Sequence, residues 1–402
     1  MNARLDVGRV RADFPALDSG LAFFDGPGGT QTPRQVGEAI AATLTGPLSN
    51  KGTDSVSQRN ATAAVEAFRA AMADYLGAEP TGIVYGRSAT ALTYQVSRTL
   101  AKDWAPGDEV VVTRLDHDSN VRPWLQAAEA VGATIRWVDF DVADGELPVE
   151  AVAEQLSERT RLVAVTAASN LLGTMPDVGS IADLAHGHGA LVYVDAVHAA
   201  AHRLLSLAEL GADFLVCSPY KFLGPHCGVL AAAPELLRTL RPDKLRPATD
   251  EVPDTFEHGT QPYEIMAGVT AAVDYLAALV PGSEGSRRQR LASSFTALEH
   301  HEDRLRERIE TAIDALPGVT RRSRAARRTP TLLYTFEDRP AAEVSRALVA
   351  DGILAPSGNF YALEASLHLG LGSAGGLRIG LAPYTDGDDV DRLLTALARI
   401  LA

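Results

Sequence analysis

Cysteine is scarce in this chain: 402 residues carry two, Cys217 and Cys227. Two thiols are too few for the disulfide framework of a small secreted protein. They also lack the paired spacing of a zinc site, so no metal is expected. Long apolar runs are missing too, and none approaches the roughly 20 residues that a membrane span requires. The first residues, MNARLDVGRVRADFP, lack the apolar centre of a secretory signal. The expectation is a cytoplasmic protein. Positive charge is in deficit: 37 Lys and Arg against 51 Asp and Glu give a formal net charge of −14 and a pI near 5.2. That balance argues against nucleic acid or an anionic membrane as a partner. One basic run exists, RRSRAARR at 321–328. It reads as a solvated loop between a helix and a strand, or as an anion-binding patch. No internal repeat accompanies it.

What is present is core and alternation. Hydrophobic residues make up 46% of the chain and charged residues 22%, which suits an ordinary, sizeable core. The length suits one large domain plus a smaller one. From about residue 80, short β-branched runs alternate with helical stretches. The strand candidates are GIVYG, EVVVT, TIRWVDF, RLVAVTAAS, LVYVDAV, FLVCS and GVLAAA. Runs that are apolar throughout are buried on both faces, as in a mostly parallel sheet. The alternation implies an α/β layer. Helices are expected over VEAVAEQLSERT and after Asp177. FLVCS and GVLAAA have no helix between them, which suggests an antiparallel pair. Then the character changes. PYEIMAGVTAAVDYLAALV reads as a long helix, and a charged helix comes next, from about Ser286 to Leu316. TLLYTFE, GILAPSG, LRIGLAPY and a final helix from Asp388 complete a smaller α+β domain. The expected division is a large domain over 20–280 and a small domain from 1–19 and 281–402.

In open α/β sheets, ligands bind beyond the carboxyl ends of the strands. After GIVYG, residues Arg87, Ser88 and Thr90 stand where a helix begins. Its free N–H groups and positive dipole end offer a phosphate site, or Ser88 is a plain N-cap. His117 comes after EVVVT and Asn170 after RLVAVTAAS; each reads as a structural residue or a site group. Asp195 ends LVYVD, and a carboxylate there needs a cation or a hydrogen-bond donor. Lys221 sits in CSPYKFLGPHCG, one βα unit later. Lysine is rarely buried unpaired, so it lies in a surface loop or deep in a site. A carboxylate, a lysine and a helix-borne anion site facing one crevice suggest a pyridoxal phosphate site. That cofactor needs a lysine for its Schiff base, an acid for its pyridine nitrogen and donors for its phosphate.

The motifs SAT at 88–90, LDHDSNVRPW, ASNLLGT, VDAVH, SPYKFLGP, FEHGTQ and LRIGLAPY occur in a telling order. The chain resembles the class V aminotransferase family of fold-type I pyridoxal phosphate enzymes, most closely its cysteine desulfurase-like branch. The resemblance runs from FFDGPGGTQTP to the last helix. It implies a large domain with a mostly parallel seven-stranded sheet and a smaller α+β C-terminal domain. It implies pyridoxal 5'-phosphate on Lys221, Asp195 at the pyridinium nitrogen and His117 stacked on the ring, these three being the catalytic set. Asn170 falls near the ring hydroxyl or the substrate carboxylate. Ser88, Ala89, Thr90 and Ser218 fall at the phosphate. His198 and Tyr220 stand at cofactor-side positions where family desulfurases have glutamine and histidine. Thr260 matches a phosphate contact that crosses from the other subunit, which implies a homodimer with shared sites. Arg378 matches the arginine that grips the substrate carboxylate, as a guanidinium fork does.

Desulfurases of that branch take sulfur onto a cysteine in a small-domain loop. Here the loop reads APSGNFYALEASLHLG, residues 355–370, and has none. The expected reaction is C–S cleavage on a small amino acid without a persulfide cysteine, with Lys221 as general base at Cα. Transamination and epimerisation share these residues and stay open. So does a non-catalytic ligand-binding protein of the same fold.

Overall fold

The computed structural model describes residues 4–402. Its central sheet contains β1 (Ile83–Gly86), β2 (Glu109–Thr113), β3 (Thr134–Val138), β4 (Thr160–Thr166), β5 (Leu191–Asp195), β6 (Phe214–Cys217) and β7 (Gly228–Ala232). Their spatial order is β1-β7-β6-β5-β4-β2-β3. The pairs from β3 through β6 are parallel, and β7 runs antiparallel to both β6 and β1. FLVCS and GVLAAA therefore pair as expected, with Cys217 opposite Val229.

The pleat explains why these runs are apolar throughout. In β2, Val110 and Val112 join Val96, Trp124 and Phe214 on one face, while Val111 packs into the larger core on the other. In β5, Tyr193 takes the first face, and Val192 and Val194 take the second. Each buried valine contributes about 1.5–3 kcal/mol relative to exposure. The edge strand β3 carries Arg136, which pairs with Glu109 at 2.6 Å. A charged side chain on an edge discourages pairing with another chain.

Helix α1 (Ala89–Leu100) starts directly against β7. Ser88 caps it by accepting from the Ala91 N–H at 3.1 Å. Gly228 makes the approach possible, because a Cβ there would stand 2.3 Å from the Ser88 carbonyl carbon.

Helices α2 (Tyr263–Ala277) and α3 (Arg287–Ile313) lead into an antiparallel sheet. Its order is Ser357–Gly358, Gly376–Gly380, Thr331–Phe336, Val319–Arg321. A second core forms here, with Leu305, Tyr334, Ile379 and Leu393. The N-terminal segment serves both cores. Val10 and Phe14 pack into the large one, while Ala22 and Phe24 pack into the second, where Ala22–Phe23 pairs with Ile353–Leu354.

Two local expectations change. In VEAVAEQLSERT only Val149–Ala153 is helical. The chain must turn early to enter β4, and Ser157 anchors that turn by donating to Glu109 at 2.6 Å. GILAPSG splits at Ala355–Pro356 into two short strands, since proline has no N–H for a ladder. The basic run lies between α3 and Thr331–Phe336, as expected, with Arg324 and Arg327 exposed, while Arg328 pairs with Glu310 at 2.6 Å and Arg321 with Asp314 at 2.9 Å. Among the described residues, no helix is long and apolar enough to cross a membrane. Among the same residues, no group of three His, Cys, Asp or Glu could hold a metal ion.

Candidate active site

Strand register decides which side chains meet. Thr166 at the end of β4 lies opposite Asp195 at the end of β5, and Asp195 lies opposite Val216 of β6. The chain leaving each parallel strand thus turns at one sheet edge. His117 comes after β2, Asn170 after β4, and Ser218 and Lys221 after β6. All of them, with Asp195, line one cavity of about 340 Å³. Arg378 reaches it from the C-terminal sheet.

Lys221 is buried, and its Nζ donates to the Pro27 carbonyl. Burial, then the Arg378 charge, lowers its pKa to about 7, while Asp195 opposes that shift. Asp195 Oδ1 accepts the Val197 N–H at 2.8 Å. Burial raises its pKa to about 6, against the pull of that bond and of Lys221. A buried carboxyl with one backbone partner is underprovided for its charge.

His117 Nδ1 accepts the Ser119 N–H at 3.0 Å, which places the remaining proton of the neutral ring on Nε2. Burial, then the Lys221 charge, lowers its pKa to about 4, so the ring is neutral at ordinary pH. It stacks on Tyr361, with centroids 5.6 Å apart and planes at 28°. His198 Nε2 lies between the hydroxyls of Thr329, at 3.0 Å, and Thr331, at 2.9 Å. Burial and then His202 hold its pKa well below the usual value.

Asn170 bridges the two parts of the molecule. Its Nδ2 donates to the Phe360 carbonyl at 2.9 Å, and its own carbonyl accepts Arg378 Nη1 at 2.9 Å. Arg378 is 2% exposed, with Cζ 3.6 Å from the Phe360 ring centroid. Burial lowers its pKa to about 9, with Asp25 opposing.

At the other end, Ala89 and Thr90 open α1 and line the cavity with Ser218 and Tyr220. The free N–H groups of that helix start suit an anion. Ser88 does not line the cavity, because its hydroxyl is spent on the cap. Thr260 does not either. With Arg87, Gln95 and His258 it lines a separate cavity of about 220 Å³.

Sequence reasoning alone does not place Pro27, Gly28, Phe360 or Tyr361 in this wall, yet all four line it. Phe360 and Tyr361 have φ of 53° and 60°. Consecutive left-handed residues that are not glycine carry no sequence signal. Asp116 is also missed. It is 1% exposed, accepts from Asn120 at 2.7 Å and from the Thr113 hydroxyl, and burial raises its pKa to about 8. A signal for it does exist: as with Asp195, which ends β5, it is a carboxyl at the carboxyl end of a buried strand, three residues past β2.

These residues fit pyridoxal 5'-phosphate. A buried amine, a buried carboxyl with one partner, a neutral imidazole and a helix start share one cavity. Asn170 Oδ1 and His198 Nδ1 are buried without partners, on side chains that line it. A polar ligand can complete both.

Comparisons with known proteins agree with that fit. The sequence profile described as Aminotransferase class-V matches residues 22–393. An uncharacterised protein of Mycobacterium tuberculosis is 33% identical over 402 residues, covering 98% of this chain and 99% of its own. A cysteine desulfurase of Pectobacterium carotovorum subsp. carotovorum is 31% identical, covering 98% of each chain. The crystal structure of the Escherichia coli cysteine desulfurase CsdA, in an S-sulfonic acid form, superposes with a TM-score of 0.87 at 26% identity, covering 99% of each chain.

Proposed function

We propose that this chain, which belongs to the class V aminotransferase family and is a pyridoxal phosphate-dependent enzyme, cleaves the C–S bond of a small cysteine-like amino acid without forming a persulfide on the protein. The observation that carries the reading is the cavity wall. Where the branch it resembles would present a thiol, the loop presents Phe360 and Tyr361. Cys217 and Cys227 are buried and do not line the cavity. Burial pushes the Cys227 thiol up to about 12 and the Cys217 thiol well above its usual range. The thiolate is the nucleophile, so neither is poised to take sulfur.

When bound, the cofactor supplies an electron sink for negative charge at the substrate Cα. The chain supplies the rest. Arg378 Nη1 stays on Asn170 while its Nε has no partner, so that edge would take the substrate carboxylate. Lys221 would hold the cofactor. As an amine with a pKa near 7, it would also take the Cα proton and return it to the departing sulfur. Asp195, ionised above about pH 6, would hold the positive ring nitrogen, and neutral His117 would lie against the ring. The Ala89 and Thr90 amides and the Ser218 hydroxyl would hold the phosphate. Elimination breaks Cα–H and Cβ–S. Sulfur leaves as sulfide or a small thiol, and water then gives pyruvate and ammonia. Transfer of sulfur to a protein thiol would leave alanine instead.

The active unit is inferred to be a homodimer with shared sites. Thr260 supports this, because within one chain it lines a cavity other than that of Lys221. The proposed partners are a small amino acid and a second copy of the chain, in the cytoplasm, with no nucleic acid or membrane. The test is a product screen across amino acids that detects sulfide, pyruvate, ammonia and keto acids together. Pyruvate and ammonia in step with released sulfur support the reading. A keto acid formed with amination of the cofactor makes the enzyme an aminotransferase. No turnover of any amino acid makes it a binding protein.

A further inference from the structure

The cavity lining can be divided by chemistry. Arg378, Asn170 and Lys221 answer the carboxylate and amino groups that every amino acid carries. Ala89, Thr90 and Ser218 answer a phosphate, and Asp195, His117 and His198 answer the cofactor ring. Of the rest, the stretch of wall beside Arg378 and out to the mouth is formed by Pro27, Gly28, Phe360 and Tyr361. That stretch itself holds no charge, no thiol and no amide side chain. A charged substrate side chain buried against Phe360 would lose its water there.

The aromatic part of this wall is fixed in place. The Tyr361 carbonyl accepts the Asp118 N–H at 2.7 Å, and the Phe360 carbonyl accepts Asn170 Nδ2 at 2.9 Å. Asn359 closes the loop, accepting the Tyr361 N–H at 3.0 Å and donating to the Ser373 carbonyl at 3.0 Å. These bonds hold Phe360 and Tyr361 at positive φ, a conformation that persists only where the surroundings over-determine it. Phe360 lies inward against Arg378, and Tyr361, 74% exposed, marks the mouth. An aromatic surface therefore runs from the carboxylate-binding arginine to the mouth, where Asp118 and Arg122 line an adjoining cavity with Tyr361.

Resting on the C–S cleavage reading, we propose that Phe360 and Tyr361 determine substrate choice by forming a subsite for the group beyond the sulfur. The preferred substrate is then a cysteine S-conjugate with an apolar substituent, not free cysteine. The reaction balances without an oxidant: R–S–CH₂–CH(NH₃⁺)–COO⁻ plus water gives R–SH, pyruvate and ammonium.

The test uses the holoenzyme with S-benzyl-L-cysteine and L-cysteine, and with the α-methyl analogue of each. The analogues have no Cα proton, so calorimetry reads their binding apart from turnover. The benzyl analogue should bind at least about tenfold more tightly, the scale of added apolar contact in a pocket. Phe360→Ala and Tyr361→Ala should shrink that gap, while Tyr361→Phe should keep it. Equal affinities in the wild-type protein, or a gap that survives both alanine variants, would overturn the proposal. Preferred benzyl binding without C–S cleavage leaves the subsite standing and removes the lyase reading. Cleavage of both substrates with no preference does the reverse.

Discussion

Arg378 and Asn170 are joined by a 2.9 Å hydrogen bond from Nη1 to the backbone carbonyl, which ties the C-terminal sheet to the loop after β4. The bond fixes one edge of the guanidinium and leaves Nε unpartnered. Arg378→Ala should raise the substrate KM by at least about thirtyfold, the lower end of the cost of removing a buried charged partner. The cofactor absorbance should not change. Arg378→Lys should also fail to restore KM, because an ammonium lacks the planar fork. An unchanged KM in either variant would leave Arg378 as a structural tie only.

Lys221 should titrate far below an ordinary lysine. Burial and Arg378 disfavour its charged form, so in the apoprotein the amine is protonated below about pH 7 and neutral above it. Reductive methylation of Lys221, with peptide mapping afterwards, should therefore rise with pH through a midpoint near 7. Arg378→Gln removes a repelling charge and should move that midpoint upward. A midpoint near 10.5, the usual lysine value, would show that the amine does not occupy the buried position described.

Most of this site is legible in the sequence because strand ends are. A run such as LVYVD must be buried on both faces, so the residues after it fall at the ligand edge, and Asp195 and Lys221 can be placed together on that ground. The wall built by Phe360 and Tyr361 is not legible. Its position depends on two left-handed residues and on hydrogen bonds to Asp118 and Asn170, more than 180 residues away. Of the two readings of Ser88, phosphate site and N-cap, the structure has the N-cap. One hydroxyl can cap a helix or line a site, and local geometry chose the cap. The shortened helix at Val149–Ala153 is likewise set by a tertiary partner, Glu109, rather than by its own pattern.

Asp195→Asn keeps the side chain's size and its bond from the Val197 N–H, but removes the charge proposed to hold the ring nitrogen. Cofactor should still bind. Exchange of the substrate Cα proton with solvent deuterium should slow by about 100-fold or more, the scale of a lost acid–base contribution. Exchange at the wild-type rate would move Asp195 out of the mechanism.

Thr260→Ala should loosen the cofactor in the dimer while leaving thermal unfolding of the apoprotein nearly unchanged. Sedimentation should give a dimer at assay concentrations. A fully active monomer would end the shared-site proposal.

The central claim is that sulfur leaves without a protein thiol. Mass spectrometry of the protein during turnover of a cysteine-like substrate, with parallel measurement of pyruvate and alanine, tests it most directly. The account predicts pyruvate in step with released sulfur, no mass increase of one sulfur atom, and Cys227→Ala turnover within about twofold of wild type. Alanine as the main product, with a persulfide on Cys227 and loss of activity in Cys227→Ala, would contradict it.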